Sequence, residues 1–240
     1  MALPKVKQDA TDARLAVLDM PSGGWSDSAR QNALSRVRSM GLPSARDEYW
    51  KYTKPETLVQ PVAPSAATFH SDETPVFGDV DRPKIVSVDG AFDAEASDAM
   101  AMEHVTIDRL ADAPDIHWAS DISGELETRG QTTVNRPLAA LNTAFASDGV
   151  LIHVTGKAPK PISLMYRHEA EESDAILHHV VKVESGAELT ILENGPAAAR
   201  FNKCMEIEIA DGGTLHHVRA QGRDHQRRAA TAMFARLGAE

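Results

Sequence analysis

The sequence predicts a mainly β fold in which a parallel β-helix core follows an α-helical N-terminal region. Three observations lead to this prediction. The first part of the chain has the apolar spacing of helices, and a proline-rich stretch follows it. The second half contains short alternating or β-branched segments that end at Gly, Asn, Asp or Ser. Two of these segments repeat at a fixed spacing, which is typical of a solenoid.

The N-terminal part of the chain is predicted to contain two helices. Residues 6–18 form a mixed polar and apolar run that suits a first helix. Residues 28–40 place apolar side chains at the i, i+3 and i+4 positions of a second helix. Gly41 followed by Pro43 is the signal expected where that helix ends.

A proline-rich connection follows the helices. Prolines recur between Pro55 and Pro83, with Ser and Ala among them, and this composition indicates an extended segment. We therefore divide the chain into a helical N-terminal region with its linker, residues 1–83, and a β-helix core, residues 84–240.

The core is predicted to consist of short strands. They are placed at residues 84–90, 105–107, 149–154, 161–168, 176–183, 188–193, 204–210 and 215–221. Residues 138–145 favour a helix, and residues 221–236 are predicted to form a turn and the next strand.

An internal repeat supports parallel stacking of these strands. Gly186 and Gly212 lie 26 residues apart, and each sits in a turn between two alternating strands. A coil of this length buries its inner face by stacking on the next coil. The repeat gives eight candidate inward-facing residues, some of which must face outward because neighbours alternate: Val180, Val183, Leu189, Ile191, Ile207, Ile209, Leu215 and Val218. An antiparallel sandwich or barrel with hairpins of similar length stays open as the alternative.

Charge and cysteine content exclude several classes of function. The formal net charge of −10 disfavours general binding to nucleic acid or to an anionic membrane. Cys204 is the single cysteine, so the chain has no internal disulfide and no multi-cysteine metal site. Its neighbour Lys203 could activate the thiol, although a buried and inert cysteine is the commoner case. The start of the chain lacks a secretion signal and no segment could span a bilayer, so we expect a cytoplasmic protein.

Paired histidines are the candidate metal ligands. His178 and His179 are adjacent in a predicted strand, and His216 and His217 form a second pair. Adjacent side chains in a strand point to opposite faces, so the two rings of a pair cannot coordinate the same metal ion. We therefore predict no metal site.

Residues 41–53 read GLPSARDEYWKYT, and residues 141–149 read LNTAFASDG. These two segments resemble the SufD subunit of the SufBCD iron–sulfur cluster assembly complex, within the SufB/SufD family. The residues that carry the family signature, for which we predict a structural role, are Pro43, Arg46, Glu48, Trp50, Lys51, Tyr52, Thr53, Asn142, Asp148 and Gly149.

The resemblance implies a right-handed β-helix between helical regions, and a scaffold without catalysis of its own. Its implied partners are a SufB-like scaffold and a SufC-like ABC ATPase, with a homodimer as a further possibility. An iron–sulfur cluster would form at the level of the complex, with no cofactor bound by this chain alone. Because the sequence stops at Glu240, we expect the C-terminal part of the family pattern to be missing.

Two other functions stay open on the residues alone. A carbohydrate-active β-helix enzyme would need grouped carboxylates, whereas the acidic residues after Ser147 are scattered in turns. A metal-binding cupin-like protein would need two histidines on one strand face, which the spacing does not provide.

Overall fold

The computed structural model describes residues 3–68, 76–113, 115, 117–221 and 226–239. The chain is a mixed α/β protein with two mostly parallel sheets. Its helices are α1 (Lys5–Leu15), α2 (Asp27–Met40), α3 (Glu56–Val59), α4 (His117–Ser120), α5 (Glu125–Gly130) and α6 (Pro137–Phe145), with a 3-10 turn at Glu48–Trp50. Across the described residues, every helix is too short or too polar to span a lipid bilayer.

Eleven strands are found in the described residues. They are β1 (Lys84–Val88), β2 (Ala91–Phe92), β3 (Ala101–Met102), β4 (Val105–Arg109), β5 (Val150–Val154), β6 (Ile162–Arg167), β7 (Asp174–Val183), β8 (Glu188–Asn194), β9 (Arg200–Ile209), β10 (Thr214–Ala220) and β11 (Arg228–Leu237).

Successive strands alternate between two sheets from β5 onward. One sheet has the order β10-β8-β6-β1-β2, and the other has the order β11-β9-β7-β5-β4-β3. Every pairing among β5 to β11 is parallel, as is the pairing of β1 with β6. Antiparallel pairs occur only where β2, β3 and β4 meet their neighbours within the described part of the chain. The antiparallel alternative is therefore wrong for the second half.

The predicted repeat is confirmed as a strand register. Asp174 of β7 pairs with Arg200 of β9, and Glu188 of β8 pairs with Thr214 of β10, both at an offset of 26 residues. The same offset therefore relates neighbouring parallel strands in both sheets. Val181 and Val183 of β7 pair with Ile207 and Ile209 of β9, so the inner apolar rows of these strands stack.

The apolar side chains form two cores. One lies between the two sheets, and the other lies between the β7-containing sheet and the helices. Most of the eight predicted inward residues belong to the first core or pack against it. Val180 instead faces the helices, because it alternates with Val181, and Val218 is exposed on the outer face of β10.

The helical prediction needs correction. The N-terminal helices form a minor part of the protein, and α1 ends at Leu15, earlier than expected. Three helices, α4 to α6, lie between β4 and β5, so helices do not simply precede the strands. Strand β1 begins at Lys84, next to the proposed boundary. The division into two domains stays a prediction, and part of the linker, residues 69–75, lies outside the described residues.

Candidate functional site

A cluster of charged side chains lies inside the two-sheet core, where apolar residues would be expected. Glu193 of β8 and Lys203 of β9 are fully buried and form an ion pair. His217 of β10 donates a 2.8 Å hydrogen bond from Nε2 to the same carboxylate. Arg219 of β10 lies 3.7 Å from it. Three different strands thus bring one carboxylate and three basic groups together.

The contacts of this cluster fix its charge state. Burial by itself would raise the pKa of Glu193, but the hydrogen bond from His217 and the charges of Lys203 and Arg219 hold that pKa far below its usual range. Burial lowers the pKa of Lys203 to about 8, and the charge of Glu193 opposes this only in part. Glu193 is consequently ionised near neutral pH, and Lys203 remains mostly protonated beside it.

A chain of hydrogen bonds extends the cluster through the core. The backbone N–H of Val150 donates to Nδ1 of His179 at 3.0 Å, so the ring proton sits on Nε2. That proton is donated to the Tyr166 hydroxyl at 2.9 Å. Burial, followed by the charge of Glu193, raises the pKa of this hydroxyl well above its usual value. Burial, followed by the charge of Lys203, lowers the pKa of His179 to about 3 and keeps the ring neutral.

Within the described part of the chain, this cluster lies beside an open end of both sheets. Strands β10 and β11 are the outermost strands on one side of their sheets. Met233 and Leu237 of β11 pair with inward-facing residues of β9, yet they are 45% and 70% exposed. Arg219 donates a 3.0 Å hydrogen bond to Thr231 in the same row. Within this row Thr231 pairs with the charged Lys203, whereas Met233 and Leu237 pair with apolar residues of β9.

A second polar network joins the helices to the helix-facing side of the sheet that contains β7 and β9. The Glu206 carboxylate of β9 accepts hydrogen bonds from the backbone N–H groups of Gly124, at 2.6 Å, and Glu127, at 2.7 Å. It also contacts Nε2 of His178 at 2.8 Å, and Nδ1 of that ring donates to Asn142 Oδ1 at 2.9 Å. Both ring nitrogens of His178 are therefore held by buried partners, Glu206 on one side and Asn142 on the other.

The second signature segment lies within this network. The side-chain amide of Asn142 donates to the backbone carbonyls of Leu177 and Asn202, and so bridges β7 and β9. Asp148 is buried and forms an ion pair with Arg109. A Cβ atom on Gly149 would lie 1.7 Å from the carbonyl oxygen of His178, so only glycine fits there.

The first signature segment is placed differently, mostly at the surface. Pro43 is buried, and Trp50 packs partly against the helical core. Glu48 and Lys51 form an exposed ion pair at 2.8 Å. The remaining members, Arg46, Tyr52 and Thr53, are exposed, and the neighbouring Tyr49 is exposed as well. Their predicted structural role is not tested by this placement.

The histidine pairs point to opposite faces, as predicted. His178 faces the helices and His179 faces the space between the sheets, where their separate hydrogen bonds hold them. His217 points inward to Glu193, while His216 is exposed. The described residues contain no group of three or more His, Cys, Asp or Glu side chains placed to hold a metal ion.

Cys204 is buried and free. Burial, with a smaller effect from the charge of Glu206, raises the pKa of its thiol well above the usual value. The neighbouring Lys203 faces the opposite side of β9 and pairs with Glu193, and its charge lowers the pKa of the thiol by less than burial raises it.

We expect Cys204 to react with iodoacetamide on the order of a thousandfold more slowly in the native protein than in the unfolded chain, since alkylation requires opening of the core. Mass spectrometry of timed samples at pH 8, with and without urea, measures the ratio. Native and unfolded rates within a factor of ten would show that the thiol is accessible.

The fold and the site together define a class of protein with stacked parallel strands, a charged interior and outer strands that have no further partner within the described residues. A sequence model of the SufBD protein N-terminal region matches residues 12–163, which is more than half of the chain. The chain therefore belongs to the SufB/SufD family, whose members take part in iron–sulfur cluster assembly. No curated protein matches it.

Proposed function

We propose that this chain is a SufD-like scaffold subunit of iron–sulfur cluster assembly, without enzymatic activity of its own. Membership of the SufB/SufD family supports the process but does not separate SufD from SufB. The two signature segments favour SufD. In this proposal the chain works in the cytoplasm, and the cluster is the product of the complex rather than a resident cofactor of this chain.

We further propose that the alternating parallel strands form a right-handed β-helix. The 26-residue register and the alternation of β5 to β11 between two sheets support this arrangement. Each coil then buries its inner apolar side chains against the next coil, and β10 and β11 are the outermost strands of the described residues.

The observation that carries the proposal is that, within the described residues, β10 and β11 have an outer edge without a partner strand. Edge strands with unpaired backbone groups and exposed apolar side chains favour addition of another strand. Met233 and Leu237 supply the apolar row there, and Thr231 and Arg219 add polar contacts. We propose that a SufB-like β-helix covers this end and that a SufC-like ATPase joins the assembled pair.

Substitution of Met233 tests the open end directly. We expect Met233→Asp to lower recovery of a co-expressed SufB-like partner at least tenfold, because the charge would be buried without a counter-ion at the contact. Affinity purification of the tagged chain with quantitative mass spectrometry measures recovery of the SufB-like protein and of the ATPase.

Val218 provides a matched control for this substitution. It is 47% exposed, close to the 45% of Met233, but it lies on the outer face of β10. Val218→Asp should leave recovery unchanged. Equal loss in both variants, or an unmodified chain that light scattering shows as a clean monomer and that recovers no SufB-like partner, would refute the proposed pairing.

A further inference from the structure

The first signature segment borders a cleft that the proposed scaffold role does not use. Tyr49 and Trp50 line a cavity of about 280 Å³ on the helix-facing side of β11. Tyr49 is 72% exposed, and Tyr52 just beyond it is 91% exposed. Large aromatic side chains at the surface are common in protein interfaces, where they bury much area for little conformational entropy.

The walls of this cleft, which we call the signature cleft, are mostly apolar. They come from three separate parts of the chain: the 3-10 turn, the start of α6 with the loop before it, and two adjacent strands of one sheet. Besides the two aromatic residues, the lining consists of Val134, Asn135, Arg136, Pro137, Leu138, Ala139, Asn202, Ala230, Thr231 and Ala232. A cleft of this size and composition can hold one large apolar side chain.

The charge of the signature cleft is opposite to that of the chain. Its lining contains one cation, Arg136, and no carboxylate, whereas the chain as a whole has a formal charge of −10. Arg136 is exposed, and its side chain has no ion pair within the described residues. A carboxylate on an incoming group would therefore find a cation that is not already neutralised.

The signature cleft also has a strand along one side. Ala230, Thr231 and Ala232 belong to β11, whose outer edge has no partner strand in the described structure. An extended segment laid along that edge can form main-chain hydrogen bonds while every second side chain points toward the helices. Two side chains that enter the cleft together must then be two residues apart.

We propose that the signature cleft binds an extended segment of a partner protein that carries a large apolar side chain and a carboxylate two residues away. The apolar side chain enters between Tyr49, Trp50 and Pro137, and the carboxylate meets Arg136. The segment would use the same outer edge of β11 as the proposed scaffold pairing, so the two partners would compete for that edge, and neither a SufB-like protein nor an ATPase is needed for the segment to bind.

A synthetic peptide is the direct probe. The probe is a fluorescein-labelled nonapeptide of threonine and valine, with a central phenylalanine and an aspartate two residues after it. We expect saturable binding to the full chain by fluorescence anisotropy, and a three- to tenfold weaker Kd when lysine replaces the aspartate, as a partly exposed ion pair allows.

Variants of the cleft complete the test. Arg136→Glu should reverse the preference between the two peptides, and Tyr49→Ser should weaken both about tenfold. A glutamate at the start of α6 suits the helix dipole, so the first variant should fold normally. Matched controls are Arg129→Glu and Tyr52→Ser, exposed residues that do not line the cleft and should leave both affinities unchanged.

The outcomes separate this site from the scaffold proposal. Met233→Asp should leave peptide binding intact, because Met233 lies on the other face of β11 from the cleft. Absence of saturable binding up to millimolar peptide, equal Kd values for the aspartate and lysine peptides, or equal loss in the control variants would overturn the proposal.

Discussion

Replacing Glu193 by alanine should destabilise the protein by about 3–5 kcal/mol, the usual result of leaving a buried charge without its partner. The variant leaves Lys203 fully buried with no carboxylate beside it, and it also removes the acceptor for His217. Urea unfolding at pH 7, followed by circular dichroism, measures the change in the free energy of unfolding.

A double variant separates the charge effect from simple loss of packing. Glu193→Leu combined with Lys203→Met replaces the buried pair by apolar groups of similar size, which is often close to neutral. We expect the double variant to be more stable than Glu193→Ala by about 2 kcal/mol or more. A double variant no more stable than Glu193→Ala would show that the pair stabilises the core by more than mutual neutralisation.

Replacing Glu206 by alanine should cost about 3–5 kcal/mol, because two buried backbone N–H groups and one imidazole lose their acceptor at once. Those N–H groups, of Gly124 and Glu127, stand at the start of α5. Hydrogen exchange should therefore show lost protection in α5 before any other helix opens.

Glu208 on the same strand is the matched control. It is partly exposed and pairs with Arg236 at the surface, so Glu208→Ala should cost less than about 1 kcal/mol. Similar costs for the two substitutions, or unchanged exchange in α5, would contradict the role assigned to Glu206.

The parallel stacking of strands in the second half of the chain could be predicted because the sequence pattern that indicates it is local and occurs more than once. The turns at Gly186 and Gly212 and the alternating strands around them contain the 26-residue register in the sequence itself. The opposite orientation of His178 and His179 follows from strand geometry alone. No partner residue has to be known for either inference.

The buried charges could not be placed in the same way. Glu193 has the same strand parity as Leu189 and Ile191, and Lys203 has the same parity as Phe201 and Met205. Parity therefore indicates that both point inward, and this was the signal available in the sequence. That they meet depends on how two sheets face each other, and the 26-residue repeat does not fix that arrangement.

Helix α5 shows a different limit of prediction from the sequence. Its first residues follow Gly124, which provides no side-chain cap, so the local start signal is weak. The missing acceptor comes instead from Glu206, which is 82 residues away from Gly124 along the chain. A contact between residues so far apart in the sequence stabilises a helix that local sequence preferences do not predict.

His178 and His179 are consecutive residues at the centre of β7. The His178 ring is hydrogen-bonded on the helix-facing side of the sheet, and the His179 ring is hydrogen-bonded between the two sheets. If that strand shifted by a single position against its neighbours, the ring bound to Tyr166 would turn toward the helices and the ring bound to Glu206 would turn between the sheets. Both would lose their partners together. The register of β7 against its neighbouring strands is therefore determined by the polar contacts of this dipeptide as well as by apolar stacking.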